Sequence, residues 1–284
     1  MFEALFKKFE RDGFVVIDDF LLEDEVDLLK NEANKLIEQM PDDSSRSIFS
    51  TKEDEVNRTH YFLNSSDKIS YFFEPGAVDD DGGLLVEPHL SLNKIGHALH
   101  DKNKVFRKIT FDERVKEVCY QMGMVEPVVV QSMYIFKNPQ IGGEVLPHQD
   151  GTFLFTDPMN VLGLWIALDD ATLDNGCLWF ARGSHKSGVH RRFIRNPDQQ
   201  SNQLFTFTSP PLHYQKSSFT AVPVKKGTCI LIHGQVVHYS ECNKSNKPRN
   251  VYTFHVIEQR NTKYAKDNWL QVPNGTFLNL YKNL

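Results

Sequence analysis

The sequence predicts a mainly β fold with a helical N-terminal third, and three observations carry that expectation. After Gly123 the chain runs through a succession of short apolar segments with no helical pattern between them. Turn-forming clusters separate these segments, among them Gly142-Gly143, Asp174-Asn175-Gly176, Lys226-Gly227 and Lys247-Pro248. Before Gly123, apolar residues recur at helical spacing. Short strands in such a series close into a sandwich or a barrel. The 284 residues suit one large domain, and neither a repeat nor a linker divides them. The expected organisation is mainly helical support over 1–122, a β core over 123–260 and a C-terminal tail over 261–284.

In chain order, Phe2, Leu5, Phe6 and Phe9 form a helical stripe ended by Asp12-Gly13. Phe14 to Ile17 reads as a short buried strand, and Leu21 to Met40 as an amphipathic helix closed by Pro41. Residues 42–60 are polar and irregular, and Asp79-Asp80-Asp81-Gly82-Gly83 is an exposed loop. Ser91 to His100 and Thr110 to Met122 read as helices. Thr110 would cap the second, with Glu113 three residues on, as in a capping box. The expected strands are Pro127–Phe136, Leu146–Leu154, Val161–Leu168, Cys177–Phe180, Phe219–Val224, Cys229–Ile232, Val236–Ser240 and Arg249–Val256. A long polar insertion, His190 to Lys216, interrupts them; loops of that length in compact domains are functional lids or disordered.

Composition narrows the class. Apolar and charged fractions of 40% and 24% are those of an ordinary globular protein. A net charge of -5 argues against nucleic acid or an anionic membrane as a partner. Cys119, Cys177, Cys229 and Cys242 form no C-x-x-C pair, and three lie in or beside apolar runs, as buried thiols of a reducing compartment do. The first residues lack the apolar core of a signal peptide, no run is long enough to span a membrane, and Lys282-Asn283-Leu284 is not a peroxisomal signal. The expectation is a cytoplasmic monomer acting on a small molecule.

The chemistry gathers at Leu146-Pro147-His148-Gln149-Asp150-Gly151. On an extended strand His148 and Asp150 point the same way, because side chains alternate with a period of two. One more histidine would complete the two-His, one-carboxylate face that holds non-heme iron with positions left open. With 11 histidines in the chain, a His-x-Asp tripeptide arises about once by chance, so order matters more than the tripeptide. His238 supplies the histidine on a late segment, and Arg249 opens the next one. A guanidinium there suits a dicarboxylate, which its fork binds bidentately. Ser240 shares a strand face with His238 and can offer a hydroxyl to the same carboxylate. His233, an odd number of residues from His238, reads as a structural histidine.

Taken together, these features resemble the phytanoyl-CoA dioxygenase family of Fe(II)/2-oxoglutarate oxygenases. The resemblance rests on His148-Gln149-Asp150, Leu164 to Ala171, Asn175 to Phe180 with Gly183-Ser184-His185, and His238 with Arg249. Gln131 to Phe136, Asn93 to His97 and Asn268-Trp269-Leu270 extend it over nearly the whole chain. It implies a double-stranded β-helix, the cupin-like jelly roll, flanked by α-helices. It implies Fe(II) on His148, Asp150 and His238, with 2-oxoglutarate against Arg249, Ser240, Trp165, Met133 and Lys94. Read from the residues alone, Trp165 and Met133 are core, and Lys94 lies exposed on the helix expected there.

The implied reaction consumes dioxygen (O2), with ascorbate as reductant. It converts 2-oxoglutarate to succinate and carbon dioxide and hydroxylates a small, apolar or acyl substrate. A carboxylate at 150 leaves no site for halide, which favours hydroxylation over halogenation. For an acyl-CoA, His190, Arg191, Arg192 and Arg195 offer a basic cluster. One departure from the family is Arg182, where a proline is common before Gly-Ser-His. A 2-oxoglutarate-binding sensor without substrate oxidation and a zinc hydrolase are the alternative readings. The second lacks H-E-x-x-H.

Overall fold

In the computed structural model, residues 2–41, 46–51, 59–198, 200–273 and 275–282 are described. The first helix, α1 (Phe2–Asp12), leads through Gly13 into strand β1 (Phe14–Ile17). Helix α2 (Glu23–Glu38) follows, its start fixed by Glu25, whose carboxylate accepts the Leu22 N–H at 2.9 Å. Strand β2 (Ser47–Ile48), helix α3 (His60–Leu63) and strand β3 (Ile69–Phe73) come next. Most of the polar 42–60 stretch lies outside the described residues.

The helix expected over Ser91 to His100 is absent. A short α4 (Pro88–Ser91) gives way to strand β4 (Leu92–His97) and a single turn, α5 (Leu99–Lys102). The helical spacing of Leu92, Ile95 and Leu99 misled because β4 is paired on both edges, by β3 and by β5 (Pro127–Ile135), so backbone ladders overrode local propensity. Lys94 consequently sits in a sheet and is buried, not exposed on a helix.

Thr110 is likewise no N-cap. It ends α6 (Lys104–Thr110), where its hydroxyl bonds Phe106 O at 2.7 Å and meets the Tyr252 hydroxyl at 2.5 Å. Asp112 instead caps α7 (Glu113–Gln121), accepting the Arg114 N–H.

The later strands are β6 (Val145–His148), β7 (Thr156–Asp157), β8 (Val161–Ala167), β9 (Leu178–Phe180), β10 (Phe193–Arg195), β11 (Phe205–Phe207), β12 (Thr220–Val222), β13 (Cys229–His233), β14 (His238–Ser240), β15 (Val251–Glu258), β16 (Lys263–Tyr264) and β17 (Leu278–Asn279). Each expected strand has a counterpart, although the first expected ligand strand ends at His148 and turns at Asp150–Thr152. The polar insertion also carries its own hairpin, β10 with β11.

Two sheets face one another as a jelly roll. The larger runs β1-β13-β8-β15-β5-β4-β3-β2, with β17 also on β5; the smaller runs β12-β9-β14-β6. The N-terminal third thus contributes strands to the larger sheet as well as helices. Alternation splits that sheet's residues cleanly. Leu164, Ile166, Leu231, Tyr252 and Phe254 pack outward on Leu29, Ala33, Phe106 and Ile109 of the helices. Trp165, Ala167, Ile230, Ile232 and Val251 point inward to Leu178 and Phe180 of the smaller sheet. Burying a side chain such as Leu29 or Phe106 contributes roughly 2 kcal/mol. The C-terminal stretch closes one end, burying Trp269, Leu270 and Leu280.

Cys119, Cys177 and Cys229 are buried and all four cysteines are free. Arg182 pairs with Asp12 at 2.9 Å. Among the described residues no helix is long and apolar enough to cross a membrane.

Burial pushes the imidazoles of His100 and His233 down to about 4, the latter helped by His185. An unfolded chain, titrating near 6.5, takes up protons first. Stability is therefore full above about pH 6.5 and lost as the pH falls from there towards 4. Urea unfolding at pH 7.5 and pH 5.0 is expected to show a loss of about 2 kcal/mol per group at the lower pH.

Candidate active site

Strand pairing builds the metal face. In the smaller sheet β14 runs antiparallel to β6 with His238 opposite His148. Opposed residues of an antiparallel pair project to one face, and the ring centroids stand 4.3 Å apart. The chain then turns, and Asp150 Oδ1 comes to 3.7 Å from Nε2 of both rings. Each ring donates its Nδ1–H to the carbonyl two residues earlier: His148 to Leu146 O at 2.8 Å, His238 to Val236 O at 3.1 Å. That leaves both Nε2 lone pairs facing Asp150. The three donor atoms lie within 4.8 Å of one another. Donors about 2.1 Å from an ion and at right angles are about 3 Å apart, so only a small contraction is needed to hold one.

Electrostatics favour the same state. Burial lowers the His148 pKa to about 4, with His238 adding to the effect, so this ring is neutral and ready to bind a cation at physiological pH. Burial opposes ionisation of Asp150, but His255 and His238 outweigh it and hold the carboxyl below its ordinary range. His255, which the sequence reading passed over, brings Nε2 to 3.2 Å from Asp150 Oδ2. Gln131 Nε2 stands 3.1 Å from its Nδ1. A signal existed, because His255 lies an even number of residues after Arg249 on the strand expected there.

Cross-strand rows order the inner face of the larger sheet. His255 lies opposite Gly163 and Gln131; Thr253 opposite Trp165 and Met133; Val251 opposite Ala167 and Ile135. Lys94 joins the last row through Ile135. Trp165, Met133 and Lys94 therefore share one face. Lys94 is buried, with its ammonium 3.6 Å from the Phe49 ring centroid, and burial drops its pKa to about 7.

Arg249 is 2% exposed, 5.4 Å from the Trp165 ring, and its Nε and Nη1 have no hydrogen-bond partner among the described residues. Burial lowers its pKa to about 10. Beside it Lys137 Nζ donates to Gly143 O and Glu241 O, and buried Glu74 accepts from Gly143 N and Asn93. Ser240 is buried on β14 beyond His238.

The insertion is fastened to this strand. Gln149, between the two ligand positions, donates to Gly188 O and Gln235 O and accepts the His190 N–H at 2.8 Å. The His190 ring bridges Ser187 Oγ and Tyr214 Oη, at 2.7 and 2.5 Å. His148, Phe153, Arg191, Leu212 and Tyr214 line a small cavity of about 30 Å³ there. A larger cavity of about 520 Å³, lined by Phe6, Phe9, Met124, Met159 and His233, shares no residue with the metal face. His233 accepts the Gln235 N–H and packs on Phe9, as a structural histidine does.

A jelly roll with two imidazoles and one carboxylate converging between its sheets defines a class, the iron- and 2-oxoglutarate-dependent oxygenases. Within it the chain belongs to the phytanoyl-CoA dioxygenase family: residues 9–251 match the family described as Phytanoyl-CoA dioxygenase (PhyH). It is 48% identical over 283 residues to the phytanoyl-CoA dioxygenase domain-containing protein 1 homolog of Caenorhabditis elegans, covering 98% of each chain. It is 47% identical to phytanoyl-CoA dioxygenase domain-containing protein 1 of Bos taurus, covering 97% of each. The epimerase SnoN, solved with Fe3+, alpha ketoglutarate and nogalamycin RO, superposes with a TM-score of 0.63 at 18% identity, over 97% of this chain and 91% of that one. That likeness concerns the fold.

Asp150→Ala removes a donor outright. Because losing an outer partner of a ligand already weakens a metal site by ~10–100-fold, isothermal titration with Mn(II) is expected to show a larger loss, above ~100-fold.

Proposed function

We propose that this protein hydroxylates a small organic substrate while converting 2-oxoglutarate to succinate and carbon dioxide. The observation that carries the reading is the buried Arg249 guanidinium with two unpartnered nitrogens. A buried, unpaired cation is costly, by several kcal/mol, unless an anion completes it. A dicarboxylate with one end at the metal face and the other on Arg249 answers that need. Ser240 would offer it a hydroxyl, Trp165 and Met133 would flank it, and Lys94, on the same sheet face with a pKa of about 7, would add partial positive charge.

His148, Asp150 and His238 would hold iron with three positions left open, and bound iron would supply the oxidising chemistry with dioxygen. The chain's own residues do the rest. The Nδ1–H bonds of both histidines fix the ring orientations, and the apolar inner walls keep water from the reacting centre. With iron bound, the Asp150 carboxylate would take the position that a halide needs, which supports hydroxylation. The insertion's basic residues do not form a free phosphate cradle. Arg192 is paired with Asp267 and stacks over Phe155, Arg195 bonds Trp269 O, and the His190 ring is held at both nitrogens.

Purified protein given Fe(II), oxygen and labelled 2-oxoglutarate is expected to release labelled carbon dioxide, and Asp150→Ala to abolish the release. Absence of turnover with every candidate substrate, with 2-oxoglutarate binding retained, would favour a binding sensor instead. Arg249→Met is expected to weaken 2-oxoglutarate by ~100-fold or more in equilibrium dialysis, as truncation within a buried charge pair costs ~2–5 kcal/mol. The same variant is expected to melt higher than wild type without ligand, because the uncompensated charge is gone.

A further inference from the structure

We propose that His255 is a positioning residue that restricts Asp150 to one metal-facing oxygen, and that Gln131 fixes the tautomer by which it does so. The inference rests on the iron and 2-oxoglutarate reading above. The two oxygens of Asp150 have different surroundings. Oδ1 faces His148 and His238, each with Nε2 at 3.7 Å. Oδ2 has His255 Nε2 at 3.2 Å, near but not aligned as a hydrogen bond, and no hydrogen-bond partner among the described residues.

The tautomer follows from Gln131, whose Nε2 lies 3.1 Å from His255 Nδ1. An amide nitrogen can only donate, so Nδ1 accepts and the ring proton sits on Nε2, the nitrogen beside Oδ2. With the amide turned round, Nδ1 of a neutral ring would donate to Oε1, and the bare Nε2 lone pair would face a carboxylate. For the neutral ring the network is consistent in one direction only, and a protonated ring carries the Nε2 proton in either orientation.

Sheet register sets His255 and Gln131 in one row with Ile232 and Gly163, across β13, β8, β15 and β5. Gly163 is the gap in the row. A Cβ there would stand 3.0 Å from Asp150 Oδ2, 3.3 Å from Ile232 Cβ and 3.6 Å from His255 Cδ2, so a side chain would push between the carboxylate and the imidazole. Asp150, His255 and Gln131 are all buried, which keeps water from taking the place of the imidazole donor.

The function of this row lies in counting positions. Six-coordinate iron with three protein donors has three positions open, and a chelating keto acid needs two of them. A carboxylate free to rotate can supply both oxygens and close one position. Holding Oδ2 on the His255 N–H keeps Asp150 to a single donor.

The test is anaerobic titration of 2-oxoglutarate into Fe(II)-loaded protein, following the visible charge-transfer absorption of the chelated keto acid, beside Mn(II) affinity measured by electron paramagnetic resonance. His255→Ala, kept metal-saturated to offset the ~10–100-fold loss of metal affinity expected when a ligand loses its outer partner, is expected to bind 2-oxoglutarate ~10-fold or more weakly with a diminished band. His255→Gln, which keeps an N–H donor, is expected to recover most of the affinity, and Gln131→Leu to fall between. Wild-type 2-oxoglutarate affinity and absorption in metal-saturated His255→Ala would overturn the proposal. Should His255→Ala fail to fold, Gln131→Leu decides, since it touches none of the three ligands; unchanged affinity there overturns the proposal too. Wild-type protein with no metal-dependent 2-oxoglutarate binding would instead overturn the reading on which the inference rests.

Discussion

The centre depends on one antiparallel rung, His238 opposite His148 between β14 and β6. Residues far apart in sequence meet there because backbone pairing forces them to, and a slip of one residue would turn His238 to the other side of the sheet. The smaller sheet is thus a register device as much as a wall. Its β6 strand works on both faces. His148, with Asp150 in the turn beyond it, looks into the barrel, while Gln149 looks out and clamps the Gly188–His190 segment and the Gln235 loop. The loop that Gln149 holds at the Gln235 carbonyl leads directly into the strand carrying His238, so this candidate ligand is braced from behind.

Much of the fold was legible because strand segments announce themselves in composition and punctuation. The β series after Gly123 survives with several ends shifted by a residue or more, β13 and β15 running past their expected C-terminal ends. What failed were calls where long-range pairing overruled local pattern. Leu92, Ile95 and Leu99 have helical spacing, yet two neighbouring strands claim their backbone. Thr110 resembles a cap by its spacing to Glu113, yet its hydroxyl is already engaged with Phe106 O and Tyr252. The convergence of His148, Asp150 and His238 follows their order along the chain, while Lys94, Trp165 and Met133, named through resemblance alone, are seen to share one sheet face. His255 was not legible, because its importance is a matter of cross-strand register, which no linear spacing states. Its parity with Arg249 was the one available clue.

The interior between the sheets is electrically unusual for a β sandwich. Arg249, Lys137, Lys94 and Glu74 are all buried there, against a background of Phe, Trp and Val. Most of that charge is answered by backbone: Lys137 by two carbonyls, Glu74 by an amide and Asn93. Lys94 rests against the Phe49 ring and Arg249 is left with two unpartnered nitrogens, where the proposed cosubstrate would belong. In so low a dielectric the attraction would be stronger than the same contact at the surface, and would favour two carboxylates over one.

The way the insertion is fastened has an evolutionary side. Its two ends meet on the His190 ring, through Ser187 and Tyr214, and Gln149 anchors that junction to the metal strand. Between those pins the chain is a cassette. Changes in the length of the loops on either side of β11 add little closure entropy, while Phe205, buried against Phe62 and Phe193, keeps that strand in place. A lineage can therefore vary the exposed parts of this insertion while the two sheets and the side chains between them are inherited whole.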